Sequence, residues 1–290
     1  MGYLLLAILS SAMISILMRL SADKISANLS MLATNYFVCS LLGAAYGGFQ
    51  LVVPQESGFS VTVWLGLLSG VLYLAGLVMF QSNTRRRGIV LSSVFMKLGL
   101  LVPIVASVLF FHEVPTSSQI AGFCIAVFAI VLINLKKEGD GKGFGFGLVV
   151  MLLLSGGTDT MAKVFDVFCP ASLSPLYLFY TFATALVLCL VLVVRKKERP
   201  GFREFLYGIL IGVPNFFSTK FLLGALTKLP AVVVYPSFSV ATMLIVALTG
   251  VAVFRERLSK VQQFALAAII AALILLNIRR KAHTDPVWAF

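Results

Sequence analysis

Long apolar runs, separated by short polar connections, recur along the whole of this 290-residue chain. The clearest of them contain no charged side chain and cover residues 61–81, 122–135, 176–194, 231–254 and 261–278. A helix crosses a hydrocarbon core of about 30 Å with about 20 residues, and these runs reach or approach that length. The pattern therefore predicts helices that span a membrane.

Weaker runs complete a series of ten predicted spans. Because each span needs about 20 residues, ten of them occupy roughly 200 residues and leave connections too short for a separate soluble domain. We therefore predict an all-α membrane protein in which any binding chemistry lies among the helices. The spans are expected near residues 3–20, 31–53, 63–82, 88–111, 119–135, 145–165, 174–194, 204–226, 231–254 and 261–278.

Composition agrees with this class of protein. Hydrophobic residues make up 60% of the chain and the mean hydropathy is +1.01, both above what soluble globular proteins usually carry. The first apolar run begins almost at Met1 and is followed by Arg19 and Lys24 rather than by a small-residue cleavage site, so we expect a retained span. The four cysteines have no paired spacing that predicts a disulfide framework or a metal site. We expect no metal and no cofactor.

The net charge of +12 comes from basic residues that cluster in the short connections. Such clusters are typical of the positive-inside rule, whereas nucleic-acid binding needs a continuous basic face. We therefore expect membrane lipid and a small molecule as partners, and no nucleic acid. Clusters such as 85–87 and 195–203 follow odd-numbered spans, but the basic tail at 279–281 lies on the other side. The orientation of the termini stays open at this point.

The two halves of the chain resemble each other at an offset of about 143 residues, as in transporters built from internal repeats. We divide the chain into a five-span unit at 1–138, a Gly-rich linker at 139–144, a second five-span unit at 145–281 and a tail at 282–290. Because five is odd, the second unit enters the membrane upside down relative to the first. The repeated glycine pairs are expected to allow close helix packing. Matched positions are Glu113 with Glu256, Gln119 with Gln262, Asn134 with Asn277, and Gly66 and Gly70 with Gly208 and Gly212.

The Glu113 and Glu256 turns, the helices that follow at Gln119 and Gln262, and the five-plus-five organisation resemble the drug/metabolite transporter superfamily, specifically its EamA-type ten-helix members. The resemblance covers nearly the whole chain, and its loose motifs report the fold better than the substrate. It implies transport of a small metabolite across the inner (cytoplasmic) membrane of a bacterium, with both termini in the cytoplasm. The arginines at 85–87 depart from that orientation.

Four ionisable residues lie inside predicted spans, where a charge at the helix centre costs about 2.5–3.5 kcal/mol. They are Lys97, Asp159, Lys163 and Lys220. Because lipid cannot solvate them, we expect them to face the bundle interior or water. Asp159 and Lys163 are four residues apart, so an ion pair within one helix is an alternative. Lys220, near a helix end, can instead extend to the lipid headgroups.

Uncharged polar residues extend this candidate substrate site. Tyr235 and Ser239 share a helix face at a spacing of four, and Asn215 follows Pro214, which removes a backbone donor. Hydrogen bonding between packed helices is the alternative for the polar stripe. No catalytic residue is predicted. The predicted substrate-binding residues are Lys97, Asp159, Lys163, Asn215, Lys220, Tyr235 and Ser239.

These features predict a secondary transporter that moves a small polar metabolite, such as an amino acid or an organic acid, by alternating access. Three lysines against one aspartate favour a substrate with a carboxylate or a phosphate. Coupling to a proton or to a counter-substrate is left open, and a proton would have to use Asp159. The alternatives are a channel and a membrane enzyme acting on a lipid-type substrate. The enzyme lacks support in the sequence, because His112-Glu113 has no second histidine four residues after the first.

Overall fold

The computed structural model describes residues 1–22, 24–87, 95–96, 98–134, 146–252 and 260–277. Regular structure within these ranges is helical, which confirms the predicted all-α class. A short 3-10 turn, Ala171–Leu173, also occurs. The α-helices are α1 (Gly2–Ala22), α2 (Asn28–Tyr46), α3 (Phe59–Arg87), α4 (Leu101–Phe110), α5 (Ser117–Asn134), α6 (Phe146–Phe168), α7 (Ser174–Lys196), α8 (Phe202–Leu226), α9 (Ala231–Ala252) and α10 (Lys260–Asn277).

Seven of the described helices are long and apolar enough to cross a membrane. They are α1, α2, α3, α6, α7, α8 and α9, whereas α4 and residues 117–132 of α5 form shorter apolar helices. Large apolar side chains also cover the outside of the bundle. Trp64 and Val187, for example, are 72% and 60% exposed. Lipid is the solvent that suits such a surface, so the chain is a membrane protein.

The helix boundaries depart from the predicted spans at three places. Within the fourth predicted span, 88–111, residues 99 and 100 form a turn, and the described helix α4 begins only at Leu101. α2 ends at Tyr46 rather than near residue 53, because Gly48 and Phe49 adopt positive φ angles of 62° and 60° that a helix cannot continue. α3 begins at Phe59 and continues to Arg87, so it is longer than predicted. Several sequence predictions lie outside the described residues: Lys97, Glu256, the linker at 139–144, the tail at 282–290 and residues 88–94 at the start of the fourth predicted span.

The helices pack in an ordered set of pairs. α1 contacts α8 and α9, and α6 contacts α3 and α4. In the centre, α2 contacts α7 and α8, while α3 contacts α7. α5 packs against α10 at one edge, with α9 beside both. α2, α3, α7 and α8 therefore pack around the largest buried apolar cluster of the described residues.

Glycines set the distance between the central helices. Gly66 and Gly70 of α3 face the backbone of α7, and Gly208 and Gly212 of α8 face the backbone of α2. A Cβ atom on any of the four would lie closer than 3.0 Å to an atom of the facing helix. This confirms the expected packing role of both glycine pairs, since a larger residue would force the helices apart.

Contacts between helix ends show which of them share a side of the bundle. The start of α1 lies beside the end of α8, where the Tyr3 ring is 3.4 Å from the position of a Cβ on Gly224. The start of α9 is bonded to the turn before α5, through Ala231 and Glu113. Near the start of α5, Gly122 lies against Leu275 at the end of α10. We call this the N-terminal side, and the other the opposite side.

α2 and α7 lie side by side, and each receives a carboxylate near its first turn from the loop that follows the other. Glu198, after α7, accepts a hydrogen bond of 3.0 Å from the N–H of Ser30 on α2. Glu56, after α2, accepts one from the hydroxyl of Ser172, just before α7. Both contacts place a negative charge near a helix N-terminus, where the helix dipole favours it.

Candidate functional site

A cavity of about 310 Å³ lies in the middle of the bundle, between α1, α3, α6, α7, α8 and α9. Both apolar and polar side chains line it, and the polar ones come from five helices. Apolar groups include Ile14, Leu72, Leu222 and Phe238. The polar lining residues are Ser11, Ser69, Tyr73, Ser155, Thr158, Asp159, Tyr177, Thr181, Asn215, Ser218 and Thr219.

A hydrogen-bonded chain across three helices forms one wall of the cavity. The Tyr73 hydroxyl on α3 donates to Oδ1 of Asn215 on α8 at 3.2 Å. The Asn215 amide in turn donates through Nδ2 to Oδ1 of Asn35 on α2, also at 3.2 Å. Both ends of the Asn215 side chain are thus engaged, which fixes the direction of its amide. Asn35 is buried and supports Asn215 from outside the cavity.

The local structure of α8 places Asn215 within reach of this chain. Pro214 lies inside the helix and has no N–H to donate, so the helical ladder is interrupted next to Asn215. One turn later, the Thr219 hydroxyl donates to the Asn215 carbonyl at 3.1 Å. Asn215 and Thr219 therefore point into the cavity from successive turns of a helix that remains continuous.

A second polar contact joins α3 to α7. Ser69 and Tyr177 share a hydrogen bond of 3.0 Å between their hydroxyl oxygens. The Tyr177 ring stacks on Phe165 of α6, with 4.6 Å between ring centroids. The aromatic pair fixes the hydroxyl at the cavity wall, and the hydrogen bond satisfies a polar group that is otherwise costly to bury.

α6 contributes the acidic residue of the cavity. Asp159 lines it together with Ser155 and Thr158, and the hydroxyl of Tyr235 donates to the Asp159 carbonyl oxygen at 2.6 Å. The Ser155 hydroxyl donates to the carbonyl of Met96 at 3.3 Å. Among the described lining residues, Asp159 is the only Asp or Glu, and there is no Lys or Arg.

The structure separates the predicted site residues. Asp159 and Asn215 line the cavity, and Tyr235 lies behind its wall, where it is buried and contacts α6 through its hydroxyl. Ser239 is not among the lining residues, although its neighbour Phe238 is. Lys97 lies outside the described residues.

The two described lysines of the predicted site have other partners. Lys163 Nζ lies 2.9 Å from Glu113 Oε1 and 3.3 Å from Asp166 Oδ2, so its ion pairs join it to these two carboxylates rather than to Asp159. Lys220 Nζ lies over the ring of Tyr46, 3.5 Å from its centroid. Two of the three lysines that were expected to make the cavity positive therefore do not line it. Most of the argument for an anionic substrate is lost with them.

Sequence reasoning missed several residues of the site, chiefly Ser69, Tyr73, Tyr177 and Asn35. They lie in apolar runs whose charge is zero, so a search for ionisable residues passes over them. A spacing of four was the available signal, since Ser69 and Tyr73 lie one turn apart, as do Tyr177 and Thr181. The described residues contain no group of three or more His, Cys, Asp or Glu side chains that could hold a metal ion.

Comparisons with known proteins agree with the fold. The chain is 25% identical over 287 residues to an uncharacterized protein of Haemophilus influenzae, a match that covers 95% of this chain and 97% of the relative. It is also similar to a solved crystal structure, with a TM-score of 0.72 and 16% identity over 95% of each chain. No family model matches. Fold and cavity together define a class, a helical membrane protein with a central cavity lined by both apolar and polar groups.

Proposed function

We propose that this protein is a secondary transporter that carries a small polar metabolite across the bacterial inner membrane by alternating access. The observation that carries the proposal is the central cavity of about 310 Å³, walled by polar groups from helices of both halves of the chain. Its volume is within the range of small-molecule sites, roughly 300–1,000 Å³. Unpaired polar groups are costly to bury away from water, so the polar groups in the wall of this partly apolar pocket favour a ligand with polar atoms over a purely structural role.

The packing of the helices supports two inverted five-helix repeats of the drug/metabolite transporter type. Exchanging α1–α5 with α6–α10 converts the pairs α1·α8, α1·α9 and α2·α8 into α6·α3, α6·α4 and α7·α3, and all six occur. The pairs α2·α7 and α5·α10 each convert into themselves. A pseudo-twofold relation between the halves explains this pattern with one rule.

Contacts at the level of single residues also support the repeat. Gly66 faces Cβ of Tyr180 on α7, at 2.7 Å from the position of a Cβ on the glycine. Likewise, a Cβ on Gly208 would lie 2.5 Å from Cβ of Thr34 on α2. Gly66 and Gly208 are matched positions of the two halves, so the contacts agree in partner helix and in kind of atom. A cavity at the interface of two such units is where inverted-repeat transporters bind substrate.

Counterflow in proteoliposomes tests the proposal. Vesicles are loaded with amino acids, organic acids or quaternary ammonium compounds, and uptake of the same labelled compound is followed. A carrier gives saturable uptake that internal substrate accelerates. Uptake that neither saturates nor responds to internal substrate would indicate a channel, and chemical conversion of the solute would indicate an enzyme.

Two matched threonine variants connect the transport to the cavity. Thr219→Ala and Thr249→Ala each remove a hydroxyl that donates to the carbonyl four residues earlier in its own helix. Only Thr219 lines the cavity. We expect Thr219→Ala to raise the KM for counterflow and Thr249→Ala to leave it unchanged. Equal effects of the two variants would indicate that the cavity does not bind the transported compound.

A further inference from the structure

A buried ionic cluster joins three elements at the N-terminal side of the bundle. Lys163 of α6 pairs with Glu113, in the turn between α4 and α5, and with Asp166, one turn further along α6. The side chains of Lys163 and Asp166 are 8% exposed, and that of Glu113 is 16% exposed. Charges at this depth are costly to separate without water, so the cluster fixes the relative positions of its elements.

The second oxygen of Glu113 extends the cluster to α9. Glu113 Oε2 accepts a hydrogen bond of 2.9 Å from the N–H of Ala231, the first residue of that helix. A carboxylate at this position interacts favourably with the helix N-terminus. One side chain of the first half thus holds two helices of the second half, α6 through Lys163 and α9 through Ala231.

The cluster lies directly on the N-terminal side of the cavity. Lys163 follows the lining residue Ala162, and Tyr235, one turn into α9, reaches back to Asp159. Residues 231–235 of α9 are all buried, with exposures of 0–5%. Phe165 and Tyr177 stack across the gap between α6 and α7. These groups pack between the cavity and the N-terminal side.

An ion pair suits a barrier that has to open as well as close. In a dry layer the attraction between unit charges is strong, because the effective dielectric constant is low. Once water enters between the helices, the same charges are solvated separately and the attraction falls to a small value. The contact therefore favours a fully closed or a fully hydrated layer over a partly open one.

We propose that the Glu113–Lys163 ion pair is the lock that holds the N-terminal mouth of the cavity closed. This inference rests on the proposed alternating access, because the lock has to release when the cavity opens to that side. Opening separates the α4–α5 turn from α6 and α9, so it breaks both contacts of Glu113. The Lys163–Asp166 pair lies within one helix and survives any movement of that helix as a body.

That difference supplies a matched control within the cluster. Glu113→Gln removes the charge of the contact between the halves but keeps an oxygen for Ala231, and Lys163→Gln removes the charge from the other partner. Asp166→Asn removes a carboxylate of similar burial from the same lysine, but only within α6. A lock predicts that Glu113→Gln and Lys163→Gln open the mouth and that Asp166→Asn does not.

The measurement is cysteine labelling of the cavity with a membrane-impermeant methanethiosulfonate reagent. Thr219→Cys places the reporter in the cavity wall, and the chain without that substitution gives the background from native cysteines. Right-side-out and inside-out vesicles expose the two sides of the bundle in turn. Val114→Cys on the N-terminal side and Arg199→Cys on the opposite side, both exposed positions, identify which side each preparation presents.

We expect Glu113→Gln to increase the labelling rate from the N-terminal side by about 5-fold or more, the lower limit of typical couplings between conformational states. Lys163→Gln has the same effect, and it serves in place of Glu113→Gln if that variant does not fold. Asp166→Asn changes the rate by less than about twofold. Equal increases in Glu113→Gln and Asp166→Asn, no increase in either lock variant, or no labelling from either side would each overturn the lock.

The labelling needs no substrate, so it separates the two proposals. Counterflow that succeeds while labelling stays unchanged would leave a transporter with a different closure. A labelling increase without any counterflow would leave a lock on a cavity that serves another purpose.

Discussion

At the scale of single residues, Asn215 organises the wall of the cavity. Its amide accepts from Tyr73 and donates to Asn35, so three helices meet at one side chain. An unpaired polar group is costly in the interior of a membrane protein, and here each polar group satisfies the next. Residues that do not touch the cavity, above all Asn35, therefore determine what the cavity presents to a ligand.

Asn215→Ala should lower the free energy of unfolding by about 1–3 kcal/mol, because it leaves Asn35 and Tyr73 without their shared partner in a buried site. Thermal unfolding in detergent measures the loss. Combined with Asn35→Ala, the double variant should lose less than the sum of the two single losses, since the second change removes a group that has already lost its partner on α8. Strict additivity would show that the Asn35–Asn215 contact is energetically silent.

How much of the site is predictable depends on the kind of residue. Asp159 and Asn215 are recognisable from sequence because an acid or an amide inside an apolar run has to face the interior. The partners of Lys163 are not, since Asp159 and Asp166 lie within one turn of it on the same helix and Glu113 reaches it from a separate turn. Only the packing of α4, α6 and α9 decides between these carboxylates.

At the scale of helices, close packing of α3 on α7 and of α8 on α2 depends on glycine. Hydrophobic runs identified these helices correctly because length and hydropathy are properties of the local sequence. The end of α2 was placed too late, since residues 49–53 begin with an apolar residue and contain three more, while the positive φ at Gly48 and Phe49 is invisible to hydropathy. Boundaries depend on backbone geometry, which hydropathy does not report.

Gly208→Ala and Gly66→Ala should destabilise the protein by similar amounts, about 1–3 kcal/mol each, because the new methyl group overlaps the facing helix in both cases. Gly157→Ala is the control, since its Cβ would meet Leu72 at an ordinary distance of 3.4 Å. We expect the control to change stability by less than about 1 kcal/mol. Thermal unfolding of the three variants decides, and a large difference between Gly208→Ala and Gly66→Ala would argue against equivalent halves.

At the scale of the whole molecule, the charge distribution can be assigned to the two sides of the bundle. The ends of α1, α3 and α7 carry Arg19, Arg85–Arg87, Arg195 and Lys196, and all three helices end on the opposite side. On the N-terminal side, Lys228 lies over the ring of Tyr3. Since positive residues remain in the cytoplasm, the opposite side is expected to face the cytoplasm.

This assignment predicts that both termini lie outside the cytoplasm, contrary to the orientation implied by the resemblance to drug/metabolite transporters. Alkaline phosphatase fused to the C-terminus should then be active in cells, and green fluorescent protein at the same point should be dark. The reverse pattern would make the basic tail at 279–281 the stronger topological signal. Fusions after the connection at 197–201 serve as the internal reference, because they should give the opposite result.

The crossed contacts of Glu198 and Glu56 have a mechanical consequence. Glu198 joins the loop after α7 to the first turn of α2, and Glu56 joins the loop after α2 to the residues just before α7. The two helices are therefore held together at both membrane faces. Such a pair can stay fixed while the outer helices rotate around it. A disulfide between positions 43 and 179 can join α2 to α7 covalently, because a Cβ at Gly43 would lie 3.4 Å from Cβ of Phe179, close to the Cβ–Cβ distance in disulfides. A cross-link made by Gly43→Cys with Phe179→Cys should leave counterflow intact. Loss of counterflow would show that α2 and α7 have to move relative to each other during transport.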